Sequence, residues 1–389
     1  MELWVLVAAS FVIALGYGVV APALPAFART FDVGITAASA VVSVFAIMRL
    51  AFAPATGPLV RRLGERSIYM AGLLIVAAST LAVAFAHTYW QLLLLRGLGG
   101  VGSVMFTVSA MGLMIRIAPA EIRGRISGVY SSSFVVGSIC GPLVGGALVG
   151  FGLRVPFVVY AAALVVATLV VWVALRNSQL AQPSSNQDGP GTTLREALRD
   201  CAYRAALFTA VVYGWVFSMR VSLLPLFFQD ALHQPAAVAG YALAAYALGD
   251  VLAMFPAGRA SDRFGRRPFI VVGMLVIAVG TAALGFTDSV LVAFLVTVVA
   301  GFGTGLVAPT ITAALADVLH RKGGGGGALS TYQMSQDAGT ISGPLLAGAI
   351  AQFFGFTWAF VVTAGLCVLA AGVWTLARET RIAAPTPGP

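Results

Sequence analysis

Gly57-Pro58-Leu59-Val60-Arg61-Arg62-Leu63-Gly64-Glu65-Arg66 returns 201 residues later as Gly258-Arg259-Ala260-Ser261-Asp262-Arg263-Phe264-Gly265-Arg266-Arg267. Each stretch is a short basic loop between two long apolar runs. At the same offset Gly72 meets Gly273, Gly100 meets Gly301 and Gly102 meets Gly303. After the glycine run at 323–327 the offset becomes 202, and Gly137, Gly141 and Pro142 meet Gly339, Gly343 and Pro344. Glycines recur in all membrane helices, but eight matches with a single one-residue shift mark a duplication. Six-helix halves in parallel repeat are a transporter architecture, with the substrate site between the halves near the midplane.

Working outward, the chain reads as twelve apolar runs near 4–27, 35–60, 67–86, 89–117, 125–150, 155–175, 203–228, 236–258, 268–286, 289–319, 328–353 and 357–377. Each is long enough to cross the hydrocarbon. The expected fold is therefore all-α, with twelve transmembrane helices in two pseudo-symmetric six-helix bundles. The expected divisions are a bundle at 1–176, a linker at 177–203, a second bundle at 204–378 and a tail at 379–389. The linker contains a polar, Pro-, Ser- and Gly-rich stretch at 182–193, which reads as flexible.

Composition agrees. Of 389 residues, 59% are hydrophobic and only 10% charged, with mean hydropathy +0.95. Soluble domains carry about a quarter charged residues. The +9 balance is not clustered as a nucleic-acid surface requires, so no nucleic-acid partner is expected. Cys140, Cys201 and Cys367 lie far apart without metal spacing, and His87, His233 and His320 are isolated. No Walker loop is present. Neither a metal, a cofactor nor an enzyme activity is expected. The first run, lacking a basic leader and long enough to span, reads as a helix rather than a signal peptide.

Charge sets the orientation. Of 23 basic residues, 18 fall on one side of the runs, only Arg29 and Arg154 on the other, and Arg49, Arg96 and Arg220 inside. By the positive-inside rule both termini and the linker face the cytoplasm of an inner (plasma) membrane.

Charges at membrane depth are costly and mark pathways or partners. Arg49 lies eight residues before Gly57, roughly 12 Å deep, and Asp337 lies 12 residues past Gly325, roughly 18 Å deep. Asp250 is the repeat-mate of Arg49 with opposite sign. These, with Arg96 and Arg220, are the candidate proton-coupling or buried-charge residues. Arg96 is also near enough to one surface to snorkel. Tyr17, Tyr130, Phe134, Trp215, Phe217, Tyr241, Tyr246, Tyr332 and Gln333 are candidates for a cavity wall, since aromatic rings receive flat lipophilic or cationic ligands. Helix packing or lipid contact is the competing reading for these aromatics.

Several motifs resemble those of one family. Leu15-Gly16-Tyr17-Gly18-Val19-Val20-Ala21-Pro22-Ala23-Leu24-Pro25 lies in the first run and Arg96-Gly97-Leu98-Gly99-Gly100-Val101-Gly102 in the fourth. Gly137-Ser138-Ile139-Cys140-Gly141-Pro142-Leu143-Val144-Gly145-Gly146 lies in the fifth, and the loop at 258–267 follows the eighth. Together they are similar to the major facilitator superfamily and, within it, the twelve-helix drug:proton antiporter branch. That resemblance implies proton-coupled efflux of lipophilic drugs or metabolites by alternating access, by a monomer handling a small-molecule substrate and protons in membrane lipid. Uptake of a polar or anionic solute with Arg49 and Arg220 as anion partners, or movement of lipid between leaflets, stays open. The chain departs from the branch in lacking an acid in the first run, where Tyr17 and Gly18 stand.

Gating residues follow from the same motifs. Gly137, Gly141, Pro142 and Gly145 let a neighbouring helix approach closely and bend; static packing is the competing reading. Asp262, Arg266 and Asp317 suit an ion-pair lock. At the 201 offset Arg61, Glu65 and Arg116 carry the three opposite signs. An inverted ion-pair cluster is expected there, favouring an inward-open resting state. A degenerate basic loop is the alternative.

Overall fold

The computed structural model describes residues 2–117, 136–137, 139–175, 197–321 and 326–380. All its elements are helical: α1 Glu2–Val20, α2 Ala23–Arg29, α3 Ile35–Leu63, α4 Glu65–Ala84 and α5 Tyr89–Ile117. Then come α6 Ile139–Val149, α7 Val155–Leu175, α8 Cys201–Leu226, α9 Ala236–Phe264 and α10 Arg266–Leu284. The last three are α11 Val290–Arg321, α12 Gly326–Phe354 and α13 Phe356–Leu376. Among the described residues ten helices are long and apolar enough to cross a membrane, α1 and α2 counting as one. With the shorter α6 and the more polar α12, which carries Gln333, Gln336, Asp337 and Gln352, the chain is a twelve-helix membrane protein.

The first run is not one helix. Pro22 caps α2, and proline removes a backbone donor, so the ladder of α1 ends with the Ala21 N–H on the Tyr17 carbonyl (3.1 Å). Likewise Pro225 near the end of α8 precedes a π-turn, Phe227–Ala231.

The duplication is visible in backbone detail. Gly64 (φ 81°) separates α3 from α4, and Gly265 (φ 101°) separates α9 from α10. Only glycine takes that conformation without a Cβ penalty, which explains why both survive. A Cβ at Gly72 would lie 2.7 Å from the Gly102 carbonyl oxygen; one at Gly273 would lie 3.0 Å from that of Gly303. Gly100 presses on the Phe45 carbonyl, and Gly301 on the Tyr246 carbonyl. Lipid offers no hydrophobic drive between helices, so close backbone approach at small residues takes its place.

The chain forms two compact units. The first comprises 1–186, 218–244 and 341–353; the second comprises 187–217, 245–340 and 354–389. These do not coincide with the sequence halves, because the first unit takes in one end of α8, α9 and α12. Four contacts within it explain why. The Ser43 hydroxyl donates to the Ile341 carbonyl (2.7 Å), and the Thr36 N–H donates to Gln352 Oε1 (3.0 Å). Arg29 pairs with Asp230 at 3.6 Å, and Gly146 on α6 meets Gly240 on α9. All four lie at the arginine-poor end of the helices.

The second unit has a core of Tyr203, Ile270, Met274, Ile277, Val307, Ile311, Tyr332 and Trp374. Polar side chains tie it internally: Trp374 Nε1–H donates to Thr209 Oγ1 (2.8 Å), and the Tyr203 hydroxyl to the Ala328 carbonyl (2.7 Å).

Candidate functional site

In the first unit Tyr17 lies within the electrostatic reach of three arginines. Gly100 brings α5 against α3 at Phe45 and Arg49. One turn earlier on α5, the Arg96 guanidinium lies over the Phe45 ring, 4.7 Å from its centroid. Arg96 is 9% exposed, and among the described residues its Nε has no hydrogen-bond partner. Burial at that depth is not the extended, water-seeking posture of a snorkelling arginine. On α1, Tyr17 lies in the fields of Arg96, Arg220 and Arg49. Tyr160 of α7 seats its ring where a side chain at Gly16 would be, and its hydroxyl donates weakly to the Ile13 carbonyl (3.5 Å). The sequence supplies no carboxylate to balance this group from the first six helices. Of the four acids before residue 188, Glu2, Asp32 and Glu65 stand at helix ends or in loops, and Glu121 lies outside the described residues.

The second unit carries the acids. Asp250 occupies on α9 the place of Arg49 on α3: Gly301 meets Tyr246, as Gly100 meets Phe45. Asp337 is half-buried on α12, two residues before Gly339, whose missing side chain lets α12 touch the Val211 carbonyl on α8. Pairing of Asp250 with Ser131, Ser132 or Ser133 falls outside the described residues.

The loop between α9 and α10 is a built ion-pair network. Arg266 Nε donates to Asp317 Oδ2 at 3.2 Å, and its Nη1 donates to Asp262 and to the Ser261 hydroxyl. Glu379 adds a part that sequence reading missed, having assigned residues from 379 onward to a tail. Its carboxylate accepts the backbone N–H groups of Arg266 (2.8 Å) and Arg267 (3.1 Å), capping α10. Two arginines opening a helix oppose its dipole, and that signal alone points to a missing acid. The matching loop between α3 and α4 is arranged differently. Among the described residues no ion pair joins Arg61 to Glu65; Arg61 turns back toward Gly57, its Nη1 3.7 Å from where a Cβ there would be. Glu65 is the first residue of α4. The side chain of Arg116 lies outside the described residues.

The sequence matches the Major Facilitator Superfamily over residues 6–235 and again over 206–389. The chain belongs to this superfamily. It is a multi-pass secondary transporter of small molecules and not an enzyme. It is 25% identical over 353 residues to the quinolone resistance protein NorA of Staphylococcus aureus, covering 90% of this chain and 89% of that one. It is 28% identical over 386 residues to the class C tetracycline resistance protein of Escherichia coli, covering 94% and 96%. The human synaptic vesicular amine transporter is 27% identical over 325 residues, covering 82% and 62%. In fold, the chain matches the inward-facing, unoccupied structure of a bacterial homologue of the lysosomal transporter Spinster, with TM-score 0.80, 18% identity and 96% of each chain covered. It also matches a D-xylose-proton symporter, with TM-score 0.76, 16% identity and 97% and 98% covered.

The glycines of the fifth span have two faces here. Gly137, Gly141 and Gly145 all lie against α1: a Cβ at Gly141 would stand 2.5 Å from the Leu15 carbonyl oxygen, and Pro142 packs beside Gly18. Gly146 turns instead to α9, where a Cβ on Gly240 would stand 2.5 Å from its Cα.

The expected cavity aromatics separate. Trp215 and Tyr332 are buried in the second unit. Trp215 is 7% exposed with its Nε1–H bonded to Thr363 Oγ1 (3.0 Å), and Tyr332 is buried in the core of the second unit. Tyr246 is also buried, Tyr17 and Phe217 are half-buried, and Tyr241 and Gln333 are exposed. Tyr130 and Phe134 lie outside the described residues. Phe45 and Tyr160, which hold Arg96 and α1 in place, were not singled out from sequence. An apolar groove of about 270 Å³ between α1 and α7, lined by Val5, Ala8, Val12 and Val166 among others, offers almost nothing polar to a ligand.

Proposed function

We propose that this protein is a proton-coupled exporter of lipophilic small molecules, working as a monomer by alternating access in the cell membrane with both termini in the cytoplasm. The observation that carries the reading is the division of intramembrane charge. Arg49 and Arg96 lie in the first six spans, which hold no intramembrane acid, while Asp250 and Asp337, the groups able to exchange protons, lie with Arg220 in the second six. A carboxylate gains or loses its proton according to burial and nearby cations, so a change in its surroundings during the cycle would couple proton and substrate movement. The relatives with drug-resistance names support efflux, and the positive-inside count supports the orientation. The contacts at the arginine-poor end support a resting state sealed toward the outside.

The test is purified protein in proteoliposomes with an imposed pH gradient, using fluorescent lipophilic substrates. Export driven by protons moving the other way, and collapsing with a protonophore, is the expected result. Accumulation indifferent to the gradient would overturn the coupling.

A further inference from the structure

We infer that closure of the arginine-poor end is governed by a helix cap supplied from a distant segment. The side-chain amide of Gln352, near the end of α12, closes the first turn of α3 and is the latch that sets how often that end opens. The inference rests on the alternating-access reading and deepens it by naming the residue on which closure depends.

The start of α3 has a need of its own. Backbone N–H groups in the first turn of a helix find no partner inside the helix. A side chain at the cap position commonly serves one of them, but Gly34 stands there and has none. The Thr36 N–H, in that first turn, donates instead to Gln352 Oε1 at 3.0 Å, across 316 residues of sequence. Gly34 is what admits the amide: a Cβ there would stand 2.4 Å from the same oxygen. Gln352 is exposed, so water can serve both groups once the contact breaks.

The cap completes a seam between the two helices. Gly348 lies against Ser39, a Cβ on the glycine standing 3.0 Å from that of the serine. Further along, the Ser43 hydroxyl donates to the Ile341 carbonyl at 2.7 Å. Thr36, Ser39 and Ser43 fall at spacings of three and four, one face of α3, and their partners Gln352, Gly348 and Ile341 run antiparallel along α12. Small residues let the two backbones approach closely. By sequence α3 belongs to the first repeat and α12 to the second. An alternating-access cycle parts the repeats at one end and then the other, so this contact has to break for the arginine-poor end to open. A neutral hydrogen bond biases such an equilibrium by about two- to tenfold. That is enough to favour closure and little enough to be undone in every cycle. The start of α3 is also the positive end of its dipole, so a carboxylate in place of the amide would hold harder.

The experiment is maleimide labelling of the full-length protein in detergent, with Ser39→Cys as the reporter in a background of Cys140→Ser and Cys201→Ser. Ser39 is 0% exposed, so a thiol at that position reacts only when the seam parts. Cys367, buried in the core of the second unit, stays as the internal reference for unfolding, read by mass spectrometry of its own peptide. Gln352→Leu is expected to raise labelling at position 39 about two- to tenfold without raising it at Cys367. Gly34→Ala pushes the amide aside while keeping both partners, and is expected to do the same. The double variant should label no faster than either single one, and Gln352→Glu should label more slowly than the parent. No rise with Gln352→Leu, a rise shared by Cys367, or additive effects of the two substitutions overturns the inference. Labelling that follows the cap in a protein without proton-driven flux keeps this inference and loses the exporter reading. Proton-driven flux with labelling indifferent to the cap does the reverse.

Discussion

Glu379 accepts the backbone N–H of Arg266 at 2.8 Å, so a residue beyond the last span closes the first turn of α10. In the other half the corresponding helix, α4, opens with its own acid, Glu65. The two halves thus solve one electrostatic problem in two ways. One helix begins with an acid, and where the other begins with Arg266 and Arg267 the acid comes from 113 and 112 residues away.

Glu379→Gln keeps the size of the side chain but removes its charge. Loss of a good cap costs about 1 kcal/mol. The expected outcome is a modest fall in thermal stability in detergent, with a larger fall for Glu379→Ala. Transport should drop as well, because Arg266 also holds Asp262 and Asp317. An unchanged melting temperature for Glu379→Ala would remove the capping role.

Glu65→Arg places a cation at the start of α4, against the helix dipole. It is expected to impair stability and transport, while Glu65→Gln is mild. Since Arg61 does not pair with Glu65, the triple change Arg61→Asp, Glu65→Arg, Arg116→Asp should restore little. Substantial recovery by the triple variant would instead establish the inverted ion-pair cluster read from the sequence.

Asp337→Asn should express and fold nearly normally, since Asn preserves shape and hydrogen bonding. It should nonetheless abolish pH-driven exchange in proteoliposomes. Undiminished proton-driven flux would sink Asp337 as the coupling acid and leave Asp250 to be tested by the same substitution.

Arg49→Ala and Arg62→Ala remove one charge each from the same helix, but Arg62 is exposed and Arg49 is not. Transport by Arg49→Ala is expected to fall well below that of Arg62→Ala at equal expression. Equal activities would make Arg49 a snorkelling residue with no part in the site.

Gly240→Ala would push a methyl group to 2.5 Å from the Cα of Gly146 at the arginine-poor end. Overpacking of that kind costs about 1–3 kcal/mol. Slowed turnover and lower stability are expected. Gly372→Ala is the control, as nothing lies within 4 Å of a Cβ there, and it should be silent.

Much of this molecule is written in local pattern. Hydropathy fixes helices because a bilayer leaves no other way to satisfy backbone N–H and C=O groups. The 201-residue echo from Gly57 to Gly102 fixes the duplication, because glycines that admit a neighbouring backbone cannot be exchanged freely. The buried charges Arg49, Arg96, Arg220, Asp250 and Asp337 stand out for the same reason: in so apolar a chain each is an exception. Tertiary structure decided which side chains share a space. It packed Trp215 against Thr363 and Tyr332 into a core. It laid Arg96 over Phe45, set Tyr17 within the fields of three arginines and brought Glu379 to Arg266. A helix's period tells which residues are neighbours on its own surface, but not which other helix that surface will meet. Those meetings depend on close packing between segments a hundred residues apart, and no local pattern encodes them.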